Sequence, residues 1–389
     1  MKMNELSKKY EDYVIGLRRE LHMYPEISYE EKETNLVIKR ELDSMNIPYE
    51  DVGDGYSLIA EIKCSEEGKS IGVRADIDAL PMQELTDCSY KSKIDGVMHA
   101  CGHDAHIAML LGTAKVLSEI KDKLKGTIYL CFQSAEEIGK GAEPIINALN
   151  KKGGVSEFIG LHIWSLIDSG KIALIDGPVM AGVQSFEVKI TGQGGHASRP
   201  DLCKDPVKPA CDLALKLSSI PGNFYDALDN SVVHVGMVKA GTKSNIFPDD
   251  ALITGGCRFY KDGGAEKIFS QIKRMAEGTA LTYGVEAEVF DISLTPPTIN
   301  HHEQVMKARK IVEQMEGLEL DLEQERLAAS DNFGTYLQSY PGFYGLLGAM
   351  NKEKGVIWPH HNSKFNLDED VFVKGVEFFA NYVYEFLSK

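Results

Sequence analysis

Residues 126–163 read GTIYLCFQSAEEIGKGAEPIINALNKKGGVSEFIGLHI. An apolar, β-branched run (126–133) ends in Gln133-Ser134-Ala135-Glu136-Glu137. A glycine-flanked helical pattern (142–149) follows, and a second apolar run (157–163) carries His162 inside it. Strand, helix and strand in that order, with both strands mostly apolar, predict parallel strands covered on both faces, an α/β sheet. The same rhythm extends toward the N-terminus. Strands are predicted over 57–64 and 70–78 and a helix over 105–120, preceded by two amphipathic helices over 6–23 and 30–45. Toward the C-terminus a helix (305–315), a strand (342–347) and a closing helix (369–387) complete the pattern.

Between these halves the rhythm changes. Strand 185–191, helix 206–217, strands 231–238 and 250–259, helix 265–283 and strand 285–292 give the order βαββαβ, with Gly284 placed to end the second helix. That order is the ferredoxin-like split-βαβ unit, and Thr295-Pro296-Pro297 marks the return to the first pattern. The predicted organisation is therefore one α/β domain, 1–181 with 297–389, interrupted by a small α+β domain, 182–296. A chain of 389 residues is long enough for two cores.

Composition narrows the function classes. Asp plus Glu number 58 against 42 Lys plus Arg, a formal charge of −16, which disfavours nucleic acid and anionic membrane as partners. No apolar run reaches bilayer length, and the first residues lack the apolar core of a signal peptide. Seven scattered cysteines, an odd number, do not read as a disulfide framework, so a reducing cytoplasm is the expected setting.

Polar clusters stand at the predicted strand ends, where open α/β sheets place their ligands. Arg74-Ala75-Asp76-Ile77-Asp78 closes one strand, and its aspartates could equally cap a turn. Met98-His99-Ala100-Cys101-Gly102-His103-Asp104-Ala105-His106 precedes a helix. A helix cap accounts for Asp104, but not for a thiol and three imidazoles within eight positions, which are the donors of a zinc-type site. Glu136 and Glu137 adjoin one another after a strand, so one can ligate a metal while its neighbour moves protons. His162 alone would pass for a core histidine, and His360-His361 near the C-terminus adds two more donors. Mixed sulfur, nitrogen and oxygen donors suit two divalent ions: zinc or manganese first, with cobalt or nickel compatible.

RADIDALP, MHACGHDAHIAMLLG, FQSAEE, GLH, GQGGHASRP and SNIFPDDA, in this order and spacing, resemble a family of metal-dependent amidohydrolases. It includes aminoacylase-like enzymes, hippurate hydrolase and the plant indole-acetyl-amino-acid hydrolases. The resemblance runs nearly end to end and implies a two-metal exopeptidase-like catalytic domain with an inserted lid that dimerises. It implies hydrolysis of N-acyl amino acids to a carboxylic acid and a free amino acid, by a homodimer. Dipeptidase or carboxypeptidase activity on the same architecture is the alternative.

Carried over by residue, the ligands are Cys101, His103, Glu137, His162 and His361. Glu136 matches the general base, and His196 of the GGHA motif matches a lid histidine that polarises the scissile carbonyl. Asn245 and Arg258 match residues that hold the substrate carboxylate. Without the resemblance these last three read as a glycine turn, a turn before proline and a strand residue. Two positions depart from the family pattern: Ser134 stands where proline is common, and Asn332 where a second acid is usual.

Overall fold

The computed structural model describes every residue except Met1, Asp54, Ala227 and Lys389. It contains two compact units, Met1–Val179 with Asn300–Arg326 and Thr335–Lys389, and Met180–Ile299 with Leu327–Gly334.

The first unit is built on an eight-stranded sheet. Its order is Tyr49–Val52, Ser57–Lys63, Lys125–Gln133, Glu66–Asp76, Glu157–Asp168, Gly342–Met350, Lys171–Ala173, Glu319–Leu320. The four central strands run parallel. They are buried on both faces over most of their length, which explains why they read as continuous apolar runs rather than alternating ones. Their carboxyl ends carry Asp76, Gln133 and the His162 segment to one edge of the sheet.

Helix His103–Ile120 is buried along nearly its whole length. At its middle, a Cβ on Gly112 would stand 2.5 Å from Val14 Cγ2 and 3.0 Å from Val376 Cγ2. Helices Glu11–Met23 and Phe372–Leu387 therefore approach as closely as a bare backbone permits, and the helix is clamped by its neighbours.

The helix predicted over 6–23 is broken into Met3–Lys8 and Glu11–Met23. The physical reason is a side-chain anchor. Lys9 Nζ reaches Glu119 Oε1 at 2.8 Å, and the Tyr10 hydroxyl donates to the same carboxylate, tying the kink to the far end of helix His103–Ile120.

The second unit carries a four-stranded sheet in the order Val232–Ala240, Asp250–Phe259, Gly182–Thr191, Glu286–Thr295, antiparallel throughout. This is the split-βαβ arrangement. Phe186, Val188 and Ile190, alternating along their strand, pack with Leu213 and Leu217 of helix Val207–Leu217 and with Ile268, Ile272 and Ala276 of helix Gly264–Tyr283. Gly284 ends helix Gly264–Tyr283 with φ 68°, a left-handed cap that glycine adopts without strain. Segment Leu327–Gly334 joins this unit by a bridge from Leu327 to Met180 and by Arg258 Nη1 donating to Ala328 O at 2.5 Å. No helix among the described residues is long and apolar enough to cross a membrane.

Candidate metal centre and active site

Local backbone geometry sets up the donors. Gly102 is left-handed (φ 88°), and a Cβ there would come within 2.6 Å of Ile163 Cγ2, so both conformation and space demand glycine between Cys101 and His103. After the Lys125–Gln133 strand the chain turns at Ala135, a non-glycine residue with φ 59°. Glu136 and Glu137 follow in a single short turn of helix.

Five predicted donors converge. Cys101 Sγ lies 3.5 Å from His162 Nε2. His103 Nε2 lies 3.9 Å from Glu137 Oε1, and His361 Nε2 lies 3.5 Å from Glu137 Oε2. Donor atoms of Cys101, His103 and His162 form one group within 4.8 Å of one another, and those of Cys101, Glu137 and His361 form a second. The two groups share the thiol. A third such group joins His103 with Glu136 and Glu137.

The buried partners of each ring decide which nitrogen is free. His103 Nδ1 faces Asp78 Oδ1 at 3.2 Å, and His162 Nδ1 faces the Ile163 carbonyl at 2.7 Å. Protons on Nδ1 leave both Nε2 lone pairs available, the usual second-shell arrangement around a metal-binding imidazole. His103 Nε2 and Glu137 Oε1 are indeed buried without a hydrogen-bond partner among the described residues. Buried polar atoms without a hydrogen bond are costly unless a cation satisfies them. The donor set thus fits a site for divalent ions.

The neighbouring histidines differ. His106 places Nδ1 at 2.5 Å from Asp76 Oδ1 and accepts the Ile163 N–H on Nε2 at 2.8 Å, so both nitrogens are engaged. His360 Nε2 accepts from Ser165 N at 3.1 Å, and burial with the adjacent His361 lowers its pKa to about 3. His99 is buried with neither nitrogen partnered among the described residues.

Electrostatics agree with the geometry. Burial alone would lower the His103 pKa, but Asp76, Cys101 and Asp78 outweigh it and hold the ring well above its ordinary range. A pocket that favours an imidazolium also favours a metal cation. Burial, reinforced by the Glu137 carboxylate, holds the Cys101 thiol well above its usual range, so loading a metal there releases a proton.

Asp78 organises this region more than its sequence context suggests. Besides facing His103, its carboxylate accepts from Ser28 Oγ at 2.7 Å and from Glu137 N at 3.0 Å. Asp76 accepts from Arg74 Nη1 at 2.6 Å, and Arg74 also donates to Gln133 Oε1 at 3.0 Å and to the Tyr344 hydroxyl at 3.1 Å. Both aspartates are therefore bound to the histidine-bearing helix rather than simply capping a turn.

A further buried chain holds the start of that helix. Arg18 Nε lies 2.9 Å from Asp104 Oδ2, His22 Nδ1 lies 2.6 Å from the same oxygen, and His22 Nε2 lies 3.4 Å from Glu84 Oε2. Burial would raise the Glu84 pKa, but hydrogen bonds from His22 and Thr86 bring it down to about 2.

The remaining predicted residues lie in the second unit. His196 is exposed on the two-residue strand Gly195–His196, which pairs with Ile246–Phe247. Ala197 N donates to Asn245 O at 3.1 Å, so the structure makes His196 and Asn245 neighbours. Arg258 sits apart from that ladder on strand Asp250–Phe259. His196 Nδ1 accepts from the Ser198 backbone N–H at 3.1 Å. An amide can only donate, so the proton of a neutral His196 resides on Nε2.

A partly buried thiol–imidazole–carboxylate cluster at the carboxyl ends of the strands of an α/β sheet, beside a paired glutamate, has the donors and the proton carrier of a metallohydrolase. The comparisons with known proteins agree. The model of peptidase family M20/M25/M40 matches residues 72–385. Thermostable carboxypeptidase 1 of Saccharolobus solfataricus is 37% identical, over 98% of this chain and 97% of its own. N-acetylcysteine deacetylase of Bacillus subtilis is also 37% identical, over 96% of each. The crystal structure of a dinuclear metal binding peptidase of the M20 family from Bacillus subtilis matches with a TM-score of 0.85 at 33% identity, covering 98% of this chain and 99% of that one. The chain belongs to peptidase family M20/M25/M40 and is an enzyme acting on amide bonds.

Proposed function

We propose that the protein hydrolyses the amide bond of N-acyl amino acids, giving a carboxylic acid and a free amino acid. The observation that carries this reading is the pair of donor groups sharing Cys101, with Glu136 beside them. Cys101, His103, Glu137, His162 and His361 would hold two divalent ions, zinc or manganese first, with cobalt or nickel compatible with the same donors. Such ions, when bound, polarise the scissile carbonyl and make a water molecule more acidic.

The chain's own residues do the rest. Glu136 takes a proton from the attacking water and delivers it to the leaving nitrogen, so that water and amide become acid and amine. His196, with its proton on Nε2, donates to the carbonyl oxygen as that oxygen becomes negative. Asn245 and Arg258 bind the carboxylate of the amino-acid half. The Ala328 carbonyl fixes one guanidinium nitrogen of Arg258, which steadies the fork that a carboxylate needs.

The second unit serves as a lid and as the contact of a homodimer. The edge strands Val232–Ala240 and Glu286–Thr295 expose Met237, Val238, Ile292 and Leu294, which supports such a contact. Removal of a peptide's C-terminal residue is the second reading, favoured by the 37% identity to the archaeal carboxypeptidase. A metal-supplemented screen, read as free amine, tests both. Acetyl, benzoyl, indole-acetyl and long-chain acyl amino acids are compared with carboxyl-terminal peptides. Faster turnover of the acyl amino acids is the expected result, and turnover of peptides alone would replace the first reading with the second.

A further inference from the structure

Residues 26–31, Glu-Ile-Ser-Tyr-Glu-Glu, carry no metal donor among the predicted set, yet they contact both the Asp78–Ala79 turn and the Ser134–Ala135 loop of the first unit. Ile27 bridges Ala79, and Ala79 N donates to Glu26 O at 2.8 Å. Ser28 Oγ donates to Asp78. Tyr29 is left-handed (φ 66°), and a Cβ on Gly55 would stand 3.2 Å from its Cδ1 and 2.9 Å from Ser134 Oγ, so its ring lies beside the loop that leads to Glu136. At the end of the segment Glu31 is fully buried. Its Oε1 accepts the Ala135 N–H at 2.8 Å, and its Oε2 has no hydrogen-bond partner among the described residues. Burial, with Asp78 adding to it, raises its pKa to about 7 against the pull of its backbone hydrogen bonds.

Ala135 is the residue whose conformation separates the strand from the two glutamates. A left-handed backbone is strained for any side chain with a Cβ and persists only where its surroundings impose it. We propose that Glu31 is a positioning residue for Glu136: its carboxyl oxygen grips the Ala135 N–H, imposes the left-handed turn and thereby aims Glu136 at the reacting water. This rests on the reading of Glu136 as the proton carrier. Glu137 has its own anchor, its backbone N–H donating to Asp78 at 3.0 Å. Loss of the Glu31 grip therefore disturbs proton transfer while sparing metal retention.

Three variants of the full-length, metal-loaded protein separate reach from charge. Glu31→Gln keeps a carbonyl oxygen at the same distance and should keep kcat within about threefold. Glu31→Asp withdraws the oxygen by one methylene while keeping the carboxyl, and Glu31→Ala removes it. Both should lower kcat by about 10–100-fold, with KM within about threefold and metal content unchanged, since misplacing a catalytic group by about 1 Å costs that much. If Glu31→Ala does not fold, the contrast between Asp and Gln carries the test. Activity losses that merely follow the folded fraction in all three variants, or wild-type kcat in Glu31→Asp, would overturn the proposal. Glu136→Gln measured alongside keeps the two claims apart. If it is inert while Glu31→Asp is normal, only the role of Glu31 fails; if Glu136→Gln turns over normally, the reading of Glu136 fails and this inference with it.

Discussion

The loops around residues 98–106 and 133–137 and the glycine turn around His196 are built on opposite principles. In the first, and on the strand beside it, buried partners orient three of the proposed donors: Asp78 for His103, the Ile163 carbonyl for His162, Asp78 again for the backbone of Glu137. In the second, an exposed histidine is oriented by the neighbouring Ser198. A metal site needs its donors in place before the ion arrives, because reorganising buried groups on binding costs affinity. A group that meets substrate only during turnover can stand on an exposed turn, its contribution growing as charge develops on the carbonyl oxygen.

The contrast predicts which measurement each substitution moves. Glu136→Gln should lower kcat by about 10²–10⁴-fold with metal content and melting temperature retained, because only proton transfer is removed. Initial rates paired with metal analysis check this. If Glu137→Gln behaves that way and Glu136→Gln sheds metal, the roles of the neighbours are exchanged. His196→Ala should lower kcat by roughly 10²–10³-fold, again without loss of metal or stability. A fall in melting temperature with turnover preserved would make His196 a brace for the turn. Asp78→Asn keeps the size of the side chain but weakens its hold on His103, and should reduce metal affinity by about 10–100-fold in a chelator competition. An unchanged affinity would mean that the oriented-donor account of the first region is wrong.

The smallest effect on turnover belongs to Glu84, which acts on stability. Its folded-state pKa is depressed from 4.5 to about 2. Its contribution is therefore complete above about pH 4.5 and is lost as pH falls toward 2. Acid unfolding followed by circular dichroism should be less steep in Glu84→Gln than in wild type across that window. Parallel curves would remove Glu84 from the acid response.

Periodicity explains what the sequence makes visible. The long buried strands and the two long helices of the second unit, Val207–Leu217 and Gly264–Tyr283, show their apolar pattern directly. Strands of two to four residues, such as Lys171–Ala173 and Glu319–Leu320, offer no period to detect. The break at Lys9 and Tyr10 depends on Glu119, more than a hundred positions away, and the attachment of Leu327–Gly334 to the second unit is likewise long-range. The helix predicted from residue 30 begins at Lys32, because Tyr29 is left-handed and Glu31 is drawn inward to Ala135.

Around the metal centre, the density of thiol and imidazole at 99–106 is legible as chemistry. Which nitrogens are free is not, since His103 and His106 differ only in partners that the fold supplies. Ser28 and Glu31 escape notice, and Asp78 is noticed without its role, for a related reason. A carboxylate or hydroxyl near a turn has the same sequence signature whether it caps that turn or braces a ligand.

Two divalent ions held by donor sets that share Cys101 are the centre of this account, and counting ions tests it most directly. Purified wild-type protein loaded with zinc or manganese should carry two equivalents per subunit by plasma emission. Cys101→Ala, folded to the same melting cooperativity, should carry fewer than one and should not turn over. Two retained equivalents in Cys101→Ala would contradict the shared-thiolate centre.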